Sequence, residues 1–432
     1  MRKYDQTYTL AYTLSAGNGL DGDYHEFSIT PQNTALITAF VKTAWDLSAK
    51  GRDDPGGHIW DCVFQEIDIE TNRLLFEWRA SDHYHFDDMA VDSWASWTGT
   101  AQDPWDWFHL NSVEKDVQGN FLVAARYTNG VIYINGTTGK RLWQLGGIRN
   151  SFHDLAQGLA TTFIDPHMAR WDDAHTAITI FDNVDFRSLG QSLQYSRASK
   201  ITLDTSLRTA NVSVEFAHPQ RVFAQAEGSL QKLDNGNYLV AYGSSPVFSE
   251  YSAQGKHLCE THWAPMREVD GVLSSPQVVD TYRVYKSHWI GFPAEQPVVK
   301  FTEEALYLHW NGATEVRSWH VEGGRGVATK RTLSSYKLIG RYRHDDFEIV
   351  VPLEDALGYQ LFRLTALDGA GKALGMWQVN RQGQVHEILV DESRGGTGMV
   401  QVVAVFVLGG MVLLLRKWRY IAPSRRPSLK VG

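Results

Sequence analysis

Short apolar runs separated by brief polar turns recur along most of this chain. The stretches "HEFSITPQNTALITAF" (25–40), "VFQEIDIETNRLLFEW" (63–78), "HLNSVEKDVQGNFLVAAR" (109–126), "HMARWDDAHTAITIFDN" (167–183) and "GSLQKLDNGNYLVAYG" (228–243) share one form. Each is a short strand, a polar turn and then a strongly apolar strand. "VVKFTEEALYLHWNG" (298–312) is a looser copy, and hairpins follow some units, as at 131–147 and 246–263. Residues 109 to 147 thus read as four strands joined by three tight turns. Four-stranded meanders repeated along a chain are the signature of a β-propeller. About six units fit between residues 20 and 380, which predicts an all-β, six-bladed β-propeller. No WD-type signature marks the repeats, and a pair of β-sandwiches is the structural alternative.

The repeat gives some histidines a shared position. In a propeller the first strand of each blade lines the central channel. His25, His109 and His167 each open such a strand, whereas Gly228 takes that place in a fourth copy. The three imidazoles are therefore expected at one mouth of the channel. With the turn centred near Val117–Gln118, antiparallel pairing sets Arg126 opposite His109. Asn111, two residues along the strand, is expected on the face of His109. Any single histidine among the 16 is more often a surface or satisfied core residue; three at one place in a repeat argue for a site.

Composition supports the fold class and removes some functions. Aromatics are 12% of the chain, with 15 Trp and 37 Gly, as suits packed hairpins. A net charge of −8 leaves no general nucleic-acid footprint. Cys62 and Cys259 make no disulfide framework, and whether they form one bridge stays open. "DHYHFDD" (82–88) matches no standard metal spacing and reads as a solvated loop. Asn311-Gly312 is a turn signal.

The C-terminal part reads differently. "GMVQVVAVFVLGGMVLLL" (398–415) has 18 residues without a charge, near the lower limit for spanning a bilayer core of ~30 Å. Arg416, Lys417, Arg419, Arg425, Arg426 and Lys430 follow it. The positive-inside rule places that end in the cytosol and the rest outside or in a lumen. A buried core helix is the alternative, which would leave the basic run unexplained. The start, "MRKYDQTYTLAYTL", holds no apolar run of signal-peptide length. A lumenal propeller therefore expects a signal segment that the recorded start misses; a tail anchor with a cytosolic propeller is the other arrangement. The sequons at Asn135 and Asn211 suit the lumenal one. The expected organisation is a propeller over 1–385, a linker over 386–397, a transmembrane helix over 398–415 and a basic cytosolic tail over 416–432.

Taken together, "DPWDWFHLNSVEKDVQGNFLVAARYTNGVIYINGTTGKRLWQLGG", "HMARW…ITIFDN", "GSLQKLDNGNYLVAYGS", "TYRVYKSHWIGFP" and "HWNGATEV" resemble the fungal arylsulfotransferase-like family. The pattern D-W-F-H-x-N with a later Arg, and a His ahead of I-x-I-F-D-N, is more distantly similar to the bacterial arylsulfate sulfotransferases. The resemblance covers nearly all of 15 to 380 and implies a six-bladed propeller with its active site at the channel. It implies that His167 is the nucleophile that becomes transiently sulfated. It implies that His109, Asn111 and Arg126 surround the transferred group, and that His25 is the remaining active-site histidine. Pro166 and Met168 stand where the family usually shows a glutamine and a polar residue.

The chemistry these residues support is sulfuryl transfer. Like phosphoryl transfer, it needs in-line geometry and cationic donors around the equatorial oxygens. Neutral imidazole, with a pKa of ~6.5, is a competent nucleophile near pH 7. His167 is expected to attack sulfur and release a phenol, then pass the group to a second phenol. His25 or His109 is expected to move the protons of phenols whose pKa is ~10. Arg126 would clamp sulfonate oxygens with its planar fork and Asn111 would donate one more hydrogen bond. Trp105 and Trp107 are near enough in sequence to stack an aryl group, although core packing is the plainer role. The expected partners are an aryl sulfate donor, a phenolic acceptor and the membrane, with no nucleic acid; no metal or organic cofactor is demanded. The competing expectation is a catalytically inactive, membrane-anchored propeller that binds a ligand or partner at the cell surface.

Overall fold

The computed structural model describes residues 1–52, 56–172, 175–190, 194–275, 279–325, 336–354 and 358–388. They form an all-β structure with short 3₁₀ turns. The chain packs as two units, one of Met1–Asp5 with Leu10–His288 and one of Gln6–Thr9 with the chain from Trp289 onward.

The first unit contains four successive meanders. The first sheet runs Phe27–Ile29, Thr34–Ala44, His58–Asp68 and Leu74–Arg79 in sequence order, and the second runs Leu110–Lys115, Phe121–Ala125, Gly130–Ile134 and Arg141–Leu145. The third is His167–Asp172, Ala177–Asp182, Arg197–Asp204 and Thr209–Phe216, extended by the parallel pair His153–Asp154. The fourth is Ser229–Lys232, Tyr238–Ala241, Val247–Tyr251 and His257–His262. These are the strands that the hairpin pattern predicts at 25–40, 109–147, 167–183, 228–243 and 246–263.

Turn chemistry fixes the register. Between the first two strands of the second sheet, the Asp116 carboxylate accepts the N–H groups of Gln118 (2.8 Å) and Asn120 (2.9 Å). Gly119 sits at φ +84°, a conformation costly for a residue with a Cβ. This closed turn sets Val113 against Val123 and Leu110 against Ala125.

Middle strands such as Phe121–Ala125 and Gly130–Ile134 are buried along their whole length, because each sheet is covered on both faces. Phe64, Trp78, Trp105, Trp107, Phe108 and Phe121 fill the layer involving the first two sheets. Leu122, Val131, Trp143, Ile178 and Ile201 fill the next. Phe181, Phe216, Leu230, Val240 and Tyr242 fill the third. Trp105 and Trp107 are each 1% exposed, so both are core residues. Cys62 is buried and Cys259 exposed, both as free thiols. The 82–88 stretch is only partly a solvated loop: Asp82, His85 and Asp87 are exposed, but Asp88 is buried and paired with Arg149, and His83 stacks on Trp78.

At their inner ends the sheets converge on one carboxylate. Glu26, at the entry to the first sheet, accepts from Val113 N of the second sheet (3.1 Å), Arg170 Nη2 of the third (2.7 Å) and Arg283 Nη1 (2.7 Å). Arg283 also donates to the carbonyls of His25 (2.9 Å) and Asn111 (3.0 Å). Its segment pairs with the fourth sheet, through Val284 N to Ser229 Oγ (3.2 Å) and Lys286 N to Gln231 Oε1 (2.8 Å).

The second unit has a sheet of Val298–Phe301, Ala305–His309 and Ile349–Pro352, in that order. Its other sheet has the order Tyr336–Arg343, Ser318–Gly324, Leu361–Leu367, Ala373–Asn380, Val385–Glu387. Trp310, Trp319, Phe362 and Trp377 anchor its core. Among the described residues no helix is long and apolar enough to cross a membrane. The expected span at 398–415 and the tail at 416–432 lie outside the described residues, as does the linker after residue 388.

Burial acts to raise the Glu26 pKa, but the Arg170 and Arg283 charges and the hydrogen bonds outweigh it and lower it from 4.5 to about 2. Because the folded value is depressed, its stabilisation is full above the unfolded carboxylate pKa. It is lost as pH falls through the window from 4.5 to about 2. At neutral pH, Glu26→Gln should cost about 3–5 kcal/mol, since two buried guanidiniums lose their counter-charge. Urea unfolding at a series of pH values checks this. Wild type should lose about 3 kcal/mol across that window through Glu26, and the variant should lack that part of the slope.

Candidate functional site

His167 stands at the start of the third sheet, between two residues with left-handed backbone, Asp165 (φ +54°) and Met168 (φ +44°). The strand is bulged there. His167 pairs with Phe181 and Arg170 with Thr179, so Met168 and Ala169 together oppose Ile180. The His167 ring is 2% exposed overall and held at both nitrogens. Its Nδ1 lies 2.6 Å from Asn183 Oδ1 and 3.0 Å from the Asp165 carbonyl oxygen. The Asn183 amide nitrogen donates to the carbonyls of Ala224 and Glu227, both at 2.9 Å. That fixes Asn183 Oδ1 as the acceptor, so His167 Nδ1 carries the proton. Nε2 therefore holds the lone pair, and the backbone N–H of Glu227 donates to it at 3.2 Å. Burial, helped by the nearby His109 and Arg126 charges, pushes the His167 pKa well below the usual histidine range. The ring is neutral at pH 7.

His109 and His25 are oriented by carboxylates. Asp106 pairs with His109 Nδ1 and Asp23 with His25 Nδ1. The two rings meet edge to face with centroids 4.9 Å apart. Tyr282 joins them to His167, its ring centroid 5.4 Å from that of His25 and 6.0 Å from that of His167. Its hydroxyl donates to the Asn111 carbonyl oxygen at 2.8 Å, and burial raises its pKa far above the usual tyrosine range.

Arg126 lies opposite His109, donating its backbone N–H to the His109 carbonyl at 2.8 Å. Its Nη2 pairs with Asp165 at 3.0 Å, and that carboxylate keeps the guanidinium charged against the opposing effect of burial. Asn111 is fully buried, and its amide nitrogen donates to the Pro166 carbonyl at 2.9 Å, one residue before His167. Strand alternation is not what places His109 and Asn111. His109 has φ +55°, and the pairing shifts register between Leu110 and Ser112. His25, His109, His167, Arg126 and Asn111 are thus brought into one neighbourhood by contacts through Tyr282, Asp165 and Pro166.

Several members of this neighbourhood carry no reading in the sequence analysis: Asp23, Asp106, Asp165, Asn183, Tyr282 and Glu227. An acid two or three positions before His25 and His109 was the available signal for the first two. Asn183 and Tyr282 lie inside quoted motifs. The aromatic surroundings also differ from expectation, because Tyr24 stacks on His25 (4.4 Å), Phe40 stacks on it at 4.9 Å, and Tyr127 meets His109 at 5.6 Å. These rings, rather than Trp105 and Trp107, are next to the imidazoles. Buried polar atoms without a hydrogen-bond partner gather here as well: Arg126 Nε, Asn111 Oδ1, Asp106 Oδ1 and Glu227 Oε2. Unpaired buried polar groups are costly. A cavity of about 210 Å³ lined by Arg187, Tyr195, Glu215, His218 and Arg221 is separate from this cluster.

A family model described as Arylsulfotransferase (ASST) matches residues 1–263, the span of the four meanders. No curated protein matches the chain. Among solved structures, the periplasmic gluconolactonase PpgL of Pseudomonas aeruginosa is similar at 11% identity, with 90% of this chain and 94% of that one covered and a TM-score of 0.33. The β-propeller domain of Cps50 (Swd1) from Myceliophteria thermophila is similar at 9% identity, covering 85% and 87%, with a TM-score of 0.31.

The tautomer is directly measurable. Two-dimensional ¹H–¹⁵N spectra of the imidazoles should show His167 as the Nδ1–H form from about pH 8 to about pH 5.5, while ordinary histidines titrate near ~6.5. Asn183→Leu should release that preference and let the Nε2–H form appear. A His167 that titrates near the ordinary value would contradict the buried, neutral ring.

Proposed function

This chain belongs to the arylsulfotransferase family, and from that premise we propose that it transfers a sulfuryl group from an aryl sulfate to a phenol through a sulfo-histidine at His167. The family assignment suggests sulfuryl transfer in general and a sulfotransferase-like enzyme. The observation that carries the finer reading is the Asn183 bond, which leaves an unprotonated Nε2 on a neutral His167.

In the proposed first half-reaction, the Nε2 lone pair attacks sulfur and the S–O(aryl) bond breaks in line with it. The Glu227 N–H gives up its bond to Nε2 as the new N–S bond forms. His109 or His25, each oriented through Nδ1 by a carboxylate, delivers a proton from Nε2 to the departing phenolate. Arg126 Nε is a buried donor without a partner, and it faces the sulfonate oxygens in this reading. Asn111 holds the Pro166 carbonyl and so the backbone from which His167 projects. In the second half-reaction the same imidazole accepts the proton of the acceptor phenol. The phenol oxygen attacks sulfur, the N–S bond breaks, and His167 returns to its starting form. The aryl ring is assigned to the surface of Tyr24, Phe40 and Tyr127.

A second reading has specific support. The Glu227 N–H occupies the His167 lone pair, Asp165 occupies one end of Arg126, and Pro166 and Met168 depart from the family pattern. These favour a propeller that binds aryl sulfates without turning them over. In either reading the repeat supports six blades. Anchoring through 398–415 is part of the same proposal, supported by the uncharged span and the basic residues after it. Protease added to intact cells should then digest the propeller and spare the tail; digestion of the tail alone would reverse the orientation.

The full chain incubated with a chromogenic aryl sulfate and a second phenol separates the two readings. Turnover should follow double-displacement kinetics, with donor phenol leaving before acceptor reacts. His167→Ala should abolish it. Arg126→Lys should lower kcat on the order of 10²–10³-fold, as loss of one preorganised charge donor does elsewhere. Wild type that binds the donor yet releases no phenol supports the binding reading. His167→Ala that turns over like wild type removes the nucleophile.

A further inference from the structure

Away from His25, His109 and His167, three further imidazoles surround a single carboxylate. His218 Nε2 lies 2.7 Å from Glu260 Oε2, His257 Nε2 lies 3.3 Å from the same oxygen, and His262 Nε2 lies 2.9 Å from Oε1. His218 follows the strand Thr209–Phe216 of the third sheet, and the other three residues lie on the outer strand of the fourth. The backbone is built to gather them. On a regular strand Glu260 and His262 share a face and His257 points the other way. The pairing shifts register here, with Glu250 opposite Cys259 and Tyr251 opposite His257, so Leu258 is an extra residue. The bulge reverses the alternation and brings His257 to the side of Glu260 and His262.

The rings are also oriented by packing. His218 lies edge to face on Tyr242 (5.9 Å) and His257 on Tyr251 (5.3 Å), and the two tyrosine hydroxyls bond each other at 2.8 Å. We propose that His218, His257 and Glu260, with His262 as the fourth donor, form a binding site for a divalent transition metal, zinc by its donor set. Imidazole nitrogens and a carboxylate suit zinc over calcium or magnesium, which prefer oxygen alone.

The donor atoms of His218, His257 and Glu260 all lie within 4.8 Å of one another. Zinc held at ~2.0–2.1 Å by each donor needs them roughly 3.3 Å apart, so small side-chain rotations suffice. Metal ligation replaces the bonds from His218 Nε2 and His262 Nε2 to Glu260, and it also ends the bond that Gln220 N–H donates to His218 Nδ1 at 3.2 Å, because metal on Nε2 moves the ring proton to Nδ1. Gln220 is exposed, so its N–H turns to water at small cost. His262, 2.9 Å from Glu260 Oε1 but outside that close trio, must turn in as the fourth donor, and the site is then closed and structural rather than catalytic. It clasps the outer rim of the third sheet to the largely exposed outer strand of the fourth.

The full chain, stripped with a chelator and dialysed, is titrated with zinc chloride and with cobalt(II) as a spectroscopic stand-in. Wild type should bind one equivalent tightly, show the intense visible bands of tetrahedral cobalt and melt at a higher temperature with zinc. His257→Ala and Glu260→Gln should each weaken binding at least ~10-fold and lose the zinc-dependent rise in melting temperature. Both residues are partly exposed, so folding is expected to survive; circular dichroism checks it, and His262→Ala replaces either variant that fails. An exposed histidine elsewhere, His153→Ala, should bind as wild type. No tight equivalent in wild type, or equal binding by all the variants, would overturn the proposal.

Discussion

Glu26 is a fully buried carboxylate between two guanidiniums, and the inner ends of four sheets reach it directly or at one remove. Burying one acid and two bases is expensive, and such a triad stabilises only when every partner is in place. The cost therefore enforces geometry. Arg170 cannot move without stranding Glu26, and Arg170 is three residues from His167 across a bulge. Arg283 cannot move either, and the residue before it is Tyr282, the ring that touches two of the three imidazoles. Arg170 and Arg283 both face Glu26, whereas Arg126, beside His167, pairs with Asp165 through Nη2 and keeps a buried Nε without a partner.

The site is consequently richer in acids than a sulfonate-binding pocket would suggest. Asp23 and Asp106 orient rings, Asp165 pairs with Arg126, and Glu227 supplies a backbone N–H. In the proposed reaction an aryl sulfate would meet neutral His167, so its attraction would depend on Arg126 and on aromatic contact more than on net charge. Left-handed backbone at His109, Asp165, Met168 and Glu227 gathers at the same place. Sparsely populated conformations persist where surrounding structure over-determines them.

Much of this was legible in the sequence, for identifiable reasons. Hairpins such as 109–126 carry both a period-two or fully apolar strand pattern and a turn with Asp, Gly and Asn at fixed places. Register follows from those two signals, which is why Arg126 falls opposite His109 as expected. Less legible was anything set by contacts distant in the chain. Glu26 looks like an ordinary polar residue beside His25, and its partners lie 87 to 257 positions away. Trp105 and Trp107 neighbour His109 in sequence but point into the core. The face shared by His109 and Asn111 was inferred from regular alternation, and a bulge replaces that alternation. A bulge likewise hides the grouping of His257 with Glu260 and His262, since a spacing of three residues argues against a common face on a regular strand.

The account turns on His167 Nε2 as the atom that receives the sulfuryl group. Its most direct test is a rapid acid-free quench of the protein mixed with donor alone, followed by peptide mapping by mass spectrometry under conditions that preserve phosphoramidate-like bonds. The expected result is one added SO₃ group on the peptide containing His167, absent after acceptor phenol is added. A donor-consuming protein with the label on another residue, or with no label at any quench time, would contradict it.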